Sequence, residues 1–323
     1  MKNYYTVIFP MYILSISFSL SSNSWLSIWI GMEMNLLTFI FLVLNTKSFN
    51  SSESSIKYFL IQSVGSLLFL FSITTQSTFC NESFFIYALA PPLALMLKSG
   101  IAPLHVWTPD ISMKLSPLNL FLFITMQKMV PMLIMFSSWS ILVKWIIPLN
   151  IIIGSLGGIS QSSMNKMVIF SSINNSGWMM LSLTESMFLF YIFFLFYFKM
   201  NFLLIMFLVE NSIKWTVQIK TQNFFKKLSF VSLMMSMSGL PPFMGFIPKW
   251  IILKKIMNSL PVISLISIFM SVFTLFFYMK LTINMLLYSS VSKKWKLQFS
   301  SKWPSSILTL MNLTPSLIFI LMI

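Results

Sequence analysis

The sequence predicts an all-α polytopic membrane protein with about eleven transmembrane helices. Three observations carry that prediction. Hydrophobic residues make up 57% of the 323 and charged residues only 8%, against about 25% charged in an ordinary soluble domain. Apolar runs of about 18 residues, enough to cross a bilayer as helix, follow one another almost end to end. The basic residues, 21 of them and all lysine, gather on one side of that series, with only 6 acidic residues in the chain. This composition excludes a typical soluble enzyme. It equally excludes disorder, which needs low hydrophobicity and high charge. A net charge of +15 suggests nucleic-acid binding only if the lysines share one water-facing surface.

Taken in order, the predicted spans are Tyr4–Leu20, Trp25–Leu44, Ile56–Thr75, Phe84–Trp107, Leu118–Ser137, Ile141–Leu156, Met167–Leu183, Met187–Val209, Leu228–Leu253, Leu260–Leu287 and Ser305–Ile323. The N-terminal run lacks the small-residue cleavage stretch of a signal peptide and reads as a first span. Backbone groups in hydrocarbon must bond within their own segment, so helices are the default. A β-barrel would show short alternating segments instead.

Placing the N-terminus on one side, A, tests the map. Side A then holds Lys2, Lys47, Lys57, Lys114, Lys166, Lys214, Lys220, Lys226, Lys227, Lys293, Lys294, Lys296 and Lys302, while side B holds Lys144, Lys254 and Lys255. The positive-inside rule makes side A the inner compartment, with the C-terminus on the outer side. The lysines are therefore a topology signal, and no nucleic-acid partner is expected.

Six charges fall inside predicted spans: Glu33, Lys98, Lys128, Lys199, Lys249 and Lys280. A lysine at the bilayer centre costs about 3 kcal/mol on insertion scales, so such groups usually face protein or a hydrated path. Lys199 reads as snorkelling or structurally paired, and Lys280 is divided between that reading and a functional one. Glu33, Lys98, Lys128 and Lys249 stand out because two spans are broken beside them. One reads Lys98-Ser99-Gly100-Ile101-Ala102-Pro103-Leu104-His105, and the other Ser238-Gly239-Leu240-Pro241-Pro242-Phe243-Met244-Gly245, with Lys249 just after. Proline removes a donor and clashes with the carbonyl four residues back. Pro103 should free the carbonyl of Ser99, and Pro241 and Pro242 those of Met237 and Ser238.

The breaks lie in the fourth and ninth spans, and an offset of five spans reverses direction across the membrane. Paired interrupted helices in inverted halves point to a transport site. The expected layout is a single membrane domain: residues 1–138 and 139–290 as inverted five-helix repeats, and 291–323 as a C-terminal loop and last helix. One cysteine, Cys80, and one histidine, His105, leave no metal cage of the usual ligands. Phosphate-binding glycine loops are absent, so no nucleotide site is expected. His105, beside Pro103 and Trp107, is read either as a structural hydrogen bonder or as a proton relay.

Several segments together resemble a known family. They include Ser22–Trp25 with Gly31-Met32-Glu33-Met34-Asn35, Glu53–Phe59, Lys98–Gly100 with Pro103–Trp107, and Gln127-Lys128. Further on are Gly157–Gln161, Phe170–Asn174, Gly177-Trp178-Met179 and the long run Ser238–Trp250. The chain resembles the chain 2 family of mitochondrial NADH:ubiquinone oxidoreductase, respiratory complex I. The many methionines, the abundant phenylalanine and the absence of arginine are consistent with a mitochondrial gene of an insect or other invertebrate.

The resemblance implies an antiporter-like, proton-moving subunit of the mitochondrial inner membrane. FMN, iron–sulfur clusters and ubiquinone would lie elsewhere in the complex, with no cofactor and no metal in this chain. It implies Glu33 paired with Lys98, Lys128 in the middle of the polar path, Lys249 on its outward branch and His105 beside the first break. Asn174 and Asn175 stand where relatives often carry a histidine, and Lys199 matches no family motif. Implied partners are the other membrane-arm and accessory subunits and the lipid bilayer, with cardiolipin a candidate lipid. A free-standing cation/proton antiporter of the same fold and a structural or assembly subunit remain as alternatives. Co-purification separates the first two: the chain is expected to travel with a flavin-containing, NADH-oxidising membrane complex, and a lone antiporter would not.

Overall fold

The computed structural model describes residues 2–46, 48–78, 84–216, 218, 224–287 and 312. Among them the chain is all helix, with no strand beyond an isolated bridge between Ser163 and Trp215. The helices are α1 Lys2–Ser21, α2 Trp25–Leu44, α3 Phe49–Thr78, α4 Phe84–Ser99, α5 Trp107–Ser112, α6 Pro117–Ile124 and α7 Met126–Ser138. There follow α8 Ser140–Gly157, α9 Met164–Leu183, α10 Met187–Glu210, α11 Phe224–Ser238, α12 Phe246–Ser259 and α13 Pro261–Leu287. Among the described residues, six stretches are long and apolar enough to span a membrane: Trp25–Leu44, Phe49–Thr75, Pro117–Ser138, Ser140–Gly157, Met187–Glu210 and Pro261–Ile283. The span expected at Ser305–Ile323, and with it Lys47, Lys220, Lys293, Lys294, Lys296, Lys302 and Cys80, lies outside the described residues.

Local chemistry explains the helix limits. Ser24 caps α2 by accepting from the Ser27 N–H, and Ser186 does the same for α10 through Leu189, satisfying donors that the first turn leaves unpaired. α3 begins well before the expected Ile56, because Ser48 and Ser51 cap each other reciprocally, side chain to backbone N–H in both directions. That arrangement adds a polar first turn to an apolar helix. Many serine hydroxyls donate to carbonyls three or four residues back, as Ser171, Ser172, Ser176 and Ser182 do along α9. The hydroxyls thereby satisfy themselves without water.

The fourth and ninth spans are broken as the sequence predicts, but glycine ends them before proline is reached. The Gly100 N–H meets the carbonyl of Leu97 and the Ile101 N–H that of Met96. The Gly239 N–H meets the carbonyl of Ser236 and the Leu240 N–H that of Met235. Each pair is a Schellman closure, which demands a left-handed residue. Gly100 has φ of 64° and Gly239 of 85°. One further interruption was not expected. The span Leu118–Ser137 is two helices, α6 and α7, divided at Thr125 (φ −105°, ψ −75°). The Thr125 hydroxyl donates to the carbonyl of Phe121, a side-chain bond that competes with the regular ladder and bends helices.

The chain forms two compact units, Met1–Trp145 and Ile146–Ile323. In the first, α1 packs on α2, α2 on α3, α3 on α4, and α4 on α7. Phe39, Tyr58, Trp107 and Phe123 form an aromatic cluster there, with ring centroids 5.0–6.2 Å apart. In the second, α10 packs on α9, α11 and α12, and α13 on α11 and α12. α8 and α9 approach closely at Gly154, where a Cβ would lie 2.4 Å from the Asn174 nitrogen.

Two lysine readings change. Lys227, expected in the water-facing belt, is 4% exposed, because the helical period sets it on the same face as the buried Phe230 and Met234. Lys114 and Lys57 both pair with Glu53, so part of the belt ties the start of α3 to the turn after α5. Gly100→Ala would place a Cβ 2.3 Å from Thr108 Cγ2 in a left-handed backbone. The left-handed cost of about 1–2 kcal/mol plus about 1–3 kcal/mol of overpacking predicts a clear loss of stability. It should be read as a lower thermal unfolding midpoint of the purified membrane protein.

Candidate functional site

α4 stops at the Gly100 closure and leaves Lys98 in its last turn, with a side chain only 4% exposed. The Lys98 carbonyl accepts from Gln62 Nε2 of α3 at 2.9 Å. Gly65, also on α3, leaves room for the lysine stem, since a Cβ there would lie 3.0 Å from Lys98 Cγ. Glu33, half-buried in the middle of α2, sets Oε1 3.8 Å from Lys98 Nζ. This distance makes an ion pair and exceeds that of a direct hydrogen bond. Glu33 Oε1 is itself buried without a hydrogen-bond partner, so charge is what relates this oxygen to Lys98.

Lys128 lies in the first turn of α7, three residues past the Thr125 break, and is 5% exposed. Its neighbour Gln127 makes a reciprocal amide pair with Asn35 of α2. Asn35 Nδ2 donates to Gln127 Oε1 at 3.0 Å, and Gln127 Nε2 donates to Asn35 Oδ1 at 3.3 Å. Both residues are buried. This pair fixes the helix of Glu33 to the helix of Lys128. Half-buried His105 sits in the turn between α4 and α5, its Nδ1 3.2 Å from the Pro103 carbonyl and its ring within the field of the Lys128 charge. Glu33, Lys98, Lys128 and His105 thus all belong to the first unit.

Lys249 belongs to the second unit and is stabilised differently. It lies in the first turn of α12, after the break, and is 6% exposed. Its ammonium donates to the Ser238 carbonyl at 2.9 Å and to the Met237 carbonyl at 3.4 Å, the two carbonyls that the proline pair was expected to free. A cation at a helix C-terminus also meets the negative end of the macrodipole. The fully buried Trp178 of α9 places its ring centroid 5.5 Å from Lys249 Nζ, within cation–π range. A Cβ at Gly239 would fall 3.0 Å from Lys249 Cδ, so that glycine serves the turn and the lysine together.

Lys199 and Lys280 join neither group; both are exposed on their helices. Asn174 and Asn175 are buried in α9 with side-chain oxygens unpaired. Sequence reasoning did not assign roles to Asn35, Gln127, Gln62 or Trp178. All but Gln62 lie within the segments that carry the family resemblance, which was the one available signal. Among the described residues, no three His, Cys, Asp or Glu side chains converge on a metal site.

Residues 22–274 match the family model of the NADH:quinone oxidoreductase/Mrp antiporter membrane segment. NADH-ubiquinone oxidoreductase chain 2 of Anopheles gambiae is 35% identical over 303 residues, covering 89% of this chain and 88% of the relative. The protein of the same name from Artemia franciscana is 36% identical over 297 residues, covering 90% and 92%. Among solved structures, a chain of respiratory complex I from Thermus thermophilus with bound aureothin superposes with a TM-score of 0.79. Its identity is 18%, over 96% of this chain and 77% of that one, so the likeness there is one of fold.

The amide pair gives a direct test. Gln127→Leu strands the buried Asn35 amide and should cost about 1–3 kcal/mol, the usual penalty for an unsatisfied buried polar group. The double change Asn35→Leu with Gln127→Leu removes both partners and should recover much of that loss in a thermal unfolding assay.

Proposed function

The chain belongs to the NADH-ubiquinone oxidoreductase chain 2 family, and from that premise we propose that it is a core membrane-arm subunit of respiratory complex I. In this reading it moves protons across the mitochondrial inner membrane, coupled to electron transfer from NADH to ubiquinone. It works as part of the NADH:ubiquinone oxidoreductase and beside its other membrane subunits, holding no redox centre itself. The N-terminus faces the matrix and the C-terminus the intermembrane space, following the lysine bias. Residues 1–138 and 139–290 form two inverted repeats. The similar Schellman breaks at Gly100 and Gly239, and the division of the chain near Trp145, support that layout.

The observation that carries the mechanism is the Glu33–Lys98 pair, 3.8 Å apart at a helix break with the lysine buried. At an effective dielectric of 20, unit charges at that distance interact by about 4 kcal/mol. Withdrawal of Glu33 from Lys98 therefore favours release of the lysine proton, and its return favours holding it. Lys128 receives it, with His105 as a relay beside the break. Lys249 is the proton site of the second unit, its ammonium held by the carbonyls of Met237 and Ser238. Coupled groups of this kind titrate as a set. Each lysine in these roles must be a cation that can lose its proton, which lysine does and arginine does not.

Two substitutions test this in an engineerable relative. Lys98→Met is expected to lower proton translocation per NADH oxidised in sealed vesicles while the complex still assembles. Unchanged pumping in an intact complex would leave this chain a structural subunit. Lys249→Arg keeps a charged donor for the two carbonyls but cannot deprotonate. It should therefore assemble better than Lys249→Met and yet pump no better.

A further inference from the structure

Lys199 is, with Lys280, one of two span charges that the proton path does not use, and its position is informative. It lies twelve residues into α10 and eleven from its end, so roughly 16–18 Å of helix separates it from either terminus. Its side chain is exposed. The exposed stripe of the same helix is Phe188, Tyr191, Leu195, Phe202 and Val209, spaced by threes, fours and sevens, and Lys199 falls in line with it. The opposite face, with Phe193, Tyr197, Leu204 and Leu208, is buried. A lone ammonium thus stands at mid-membrane on an otherwise apolar outward face.

Three occupants of that face can be compared by their chemistry. Lipid tails offer no acceptor, and the phosphates lie more than about 15 Å from the bilayer centre, beyond a four-carbon stem. Lys280, seven residues from the end of α13, is much better placed to reach an interface. A second copy of this face, related by a two-fold axis, would set Lys199 against Lys199. A helix carrying a carboxylate at the same depth would satisfy the ammonium and cover the apolar stripe. This chain does not supply that carboxylate among its described residues. Glu33 is with Lys98, Glu53 with Lys57 and Lys114, and Glu185 accepts from Ser259. Asp110 is in the first turn of α5 and Glu210 closes α10. Residues 288–323 contain no acidic residue, and Glu82, the one acid that remains, lies outside the described residues.

We propose that the Phe188–Val209 face of α10 is the docking surface for a membrane helix of a neighbouring subunit, which presents an aspartate or glutamate to Lys199 at mid-membrane. The proposal rests on the reading that the chain is built into a multi-subunit membrane arm. A chain that purifies alone would refute that reading. An intact complex with Lys199 facing lipid would refute only the pairing.

The test uses the intact complex, purified with its own lipids. Treatment with a membrane-permeant carbodiimide should yield, by mass spectrometry, a zero-length link between Lys199 and an acidic residue in an apolar span of another chain. A density map of the same sample should show a carboxylate oxygen of that chain within about 4 Å of Lys199 Nζ, the range of an ion pair. Lipid, an uncharged surface or a group of this same chain in that place overturns the proposal, whether or not a link forms. Lys199→Leu should reduce retention of the neighbour on native gels, and replacing the partner carboxylate by leucine as well should restore it. A Lys199→Leu complex that keeps its neighbour fully would also overturn the pairing.

Discussion

A helix that ends inside hydrocarbon leaves carbonyls with nothing to bond, and the arrangement of both units follows from how this chain meets that constraint. At Gly100 and at Gly239 the backbone turns left-handed and recovers two carbonyls through its own N–H groups. At the second break two more carbonyls, those of Met237 and Ser238, are taken by the Lys249 ammonium. The buried charge and the buried helix end therefore solve each other's problem. Neither would be tolerated alone, because an unpaired ammonium and an unpaired carbonyl are both expensive away from water.

The first unit reaches a related end with a different partner. Lys98 stands before its break, already in the last turn of α4, and is balanced by the Glu33 carboxylate from α2. A carboxylate on a separate helix can move relative to the lysine, whereas carbonyls of a tight turn are nearly fixed. One unit thus carries an ion pair that a helix shift can modulate. The other carries a lysine held by the fold itself, with Trp178 against it. Breaking such a pair leaves an uncompensated charge, so full withdrawal of Glu33 from Lys98 has a large energetic consequence.

Packing around these charges follows the same economy of space. Gly65 makes room for the stem of Lys98, and Gly239 for that of Lys249. The Asn35–Gln127 amide pair joins the helices that carry Glu33 and Lys128. Because its donors and acceptors are mutually satisfied, it positions charged neighbours without adding an unpaired polar group.

Much of this was legible from residues alone. Hydrophobic runs gave the helices, and Gly-Pro clusters beside intramembrane lysines marked the breaks. The sequence also determined which groups could carry charge, since a chain with six acids and one histidine offers few choices. The 3.6 period could not be read where apolar residues surround a helix on all sides, so the burial of Lys227 and the outward aspect of Lys199 were invisible. The interruption at Thr125 was hidden too, because a single threonine bond to its own backbone has no compositional signature. Partners across helices were likewise beyond the sequence: Glu33 was matched to Lys98 only by family likeness, and Lys249 to its carbonyls not at all. Residue type sets what a side chain is able to bond, whereas the crossing of helices far apart in sequence decides what lies within 3–4 Å of it. That second fact belongs to tertiary structure alone.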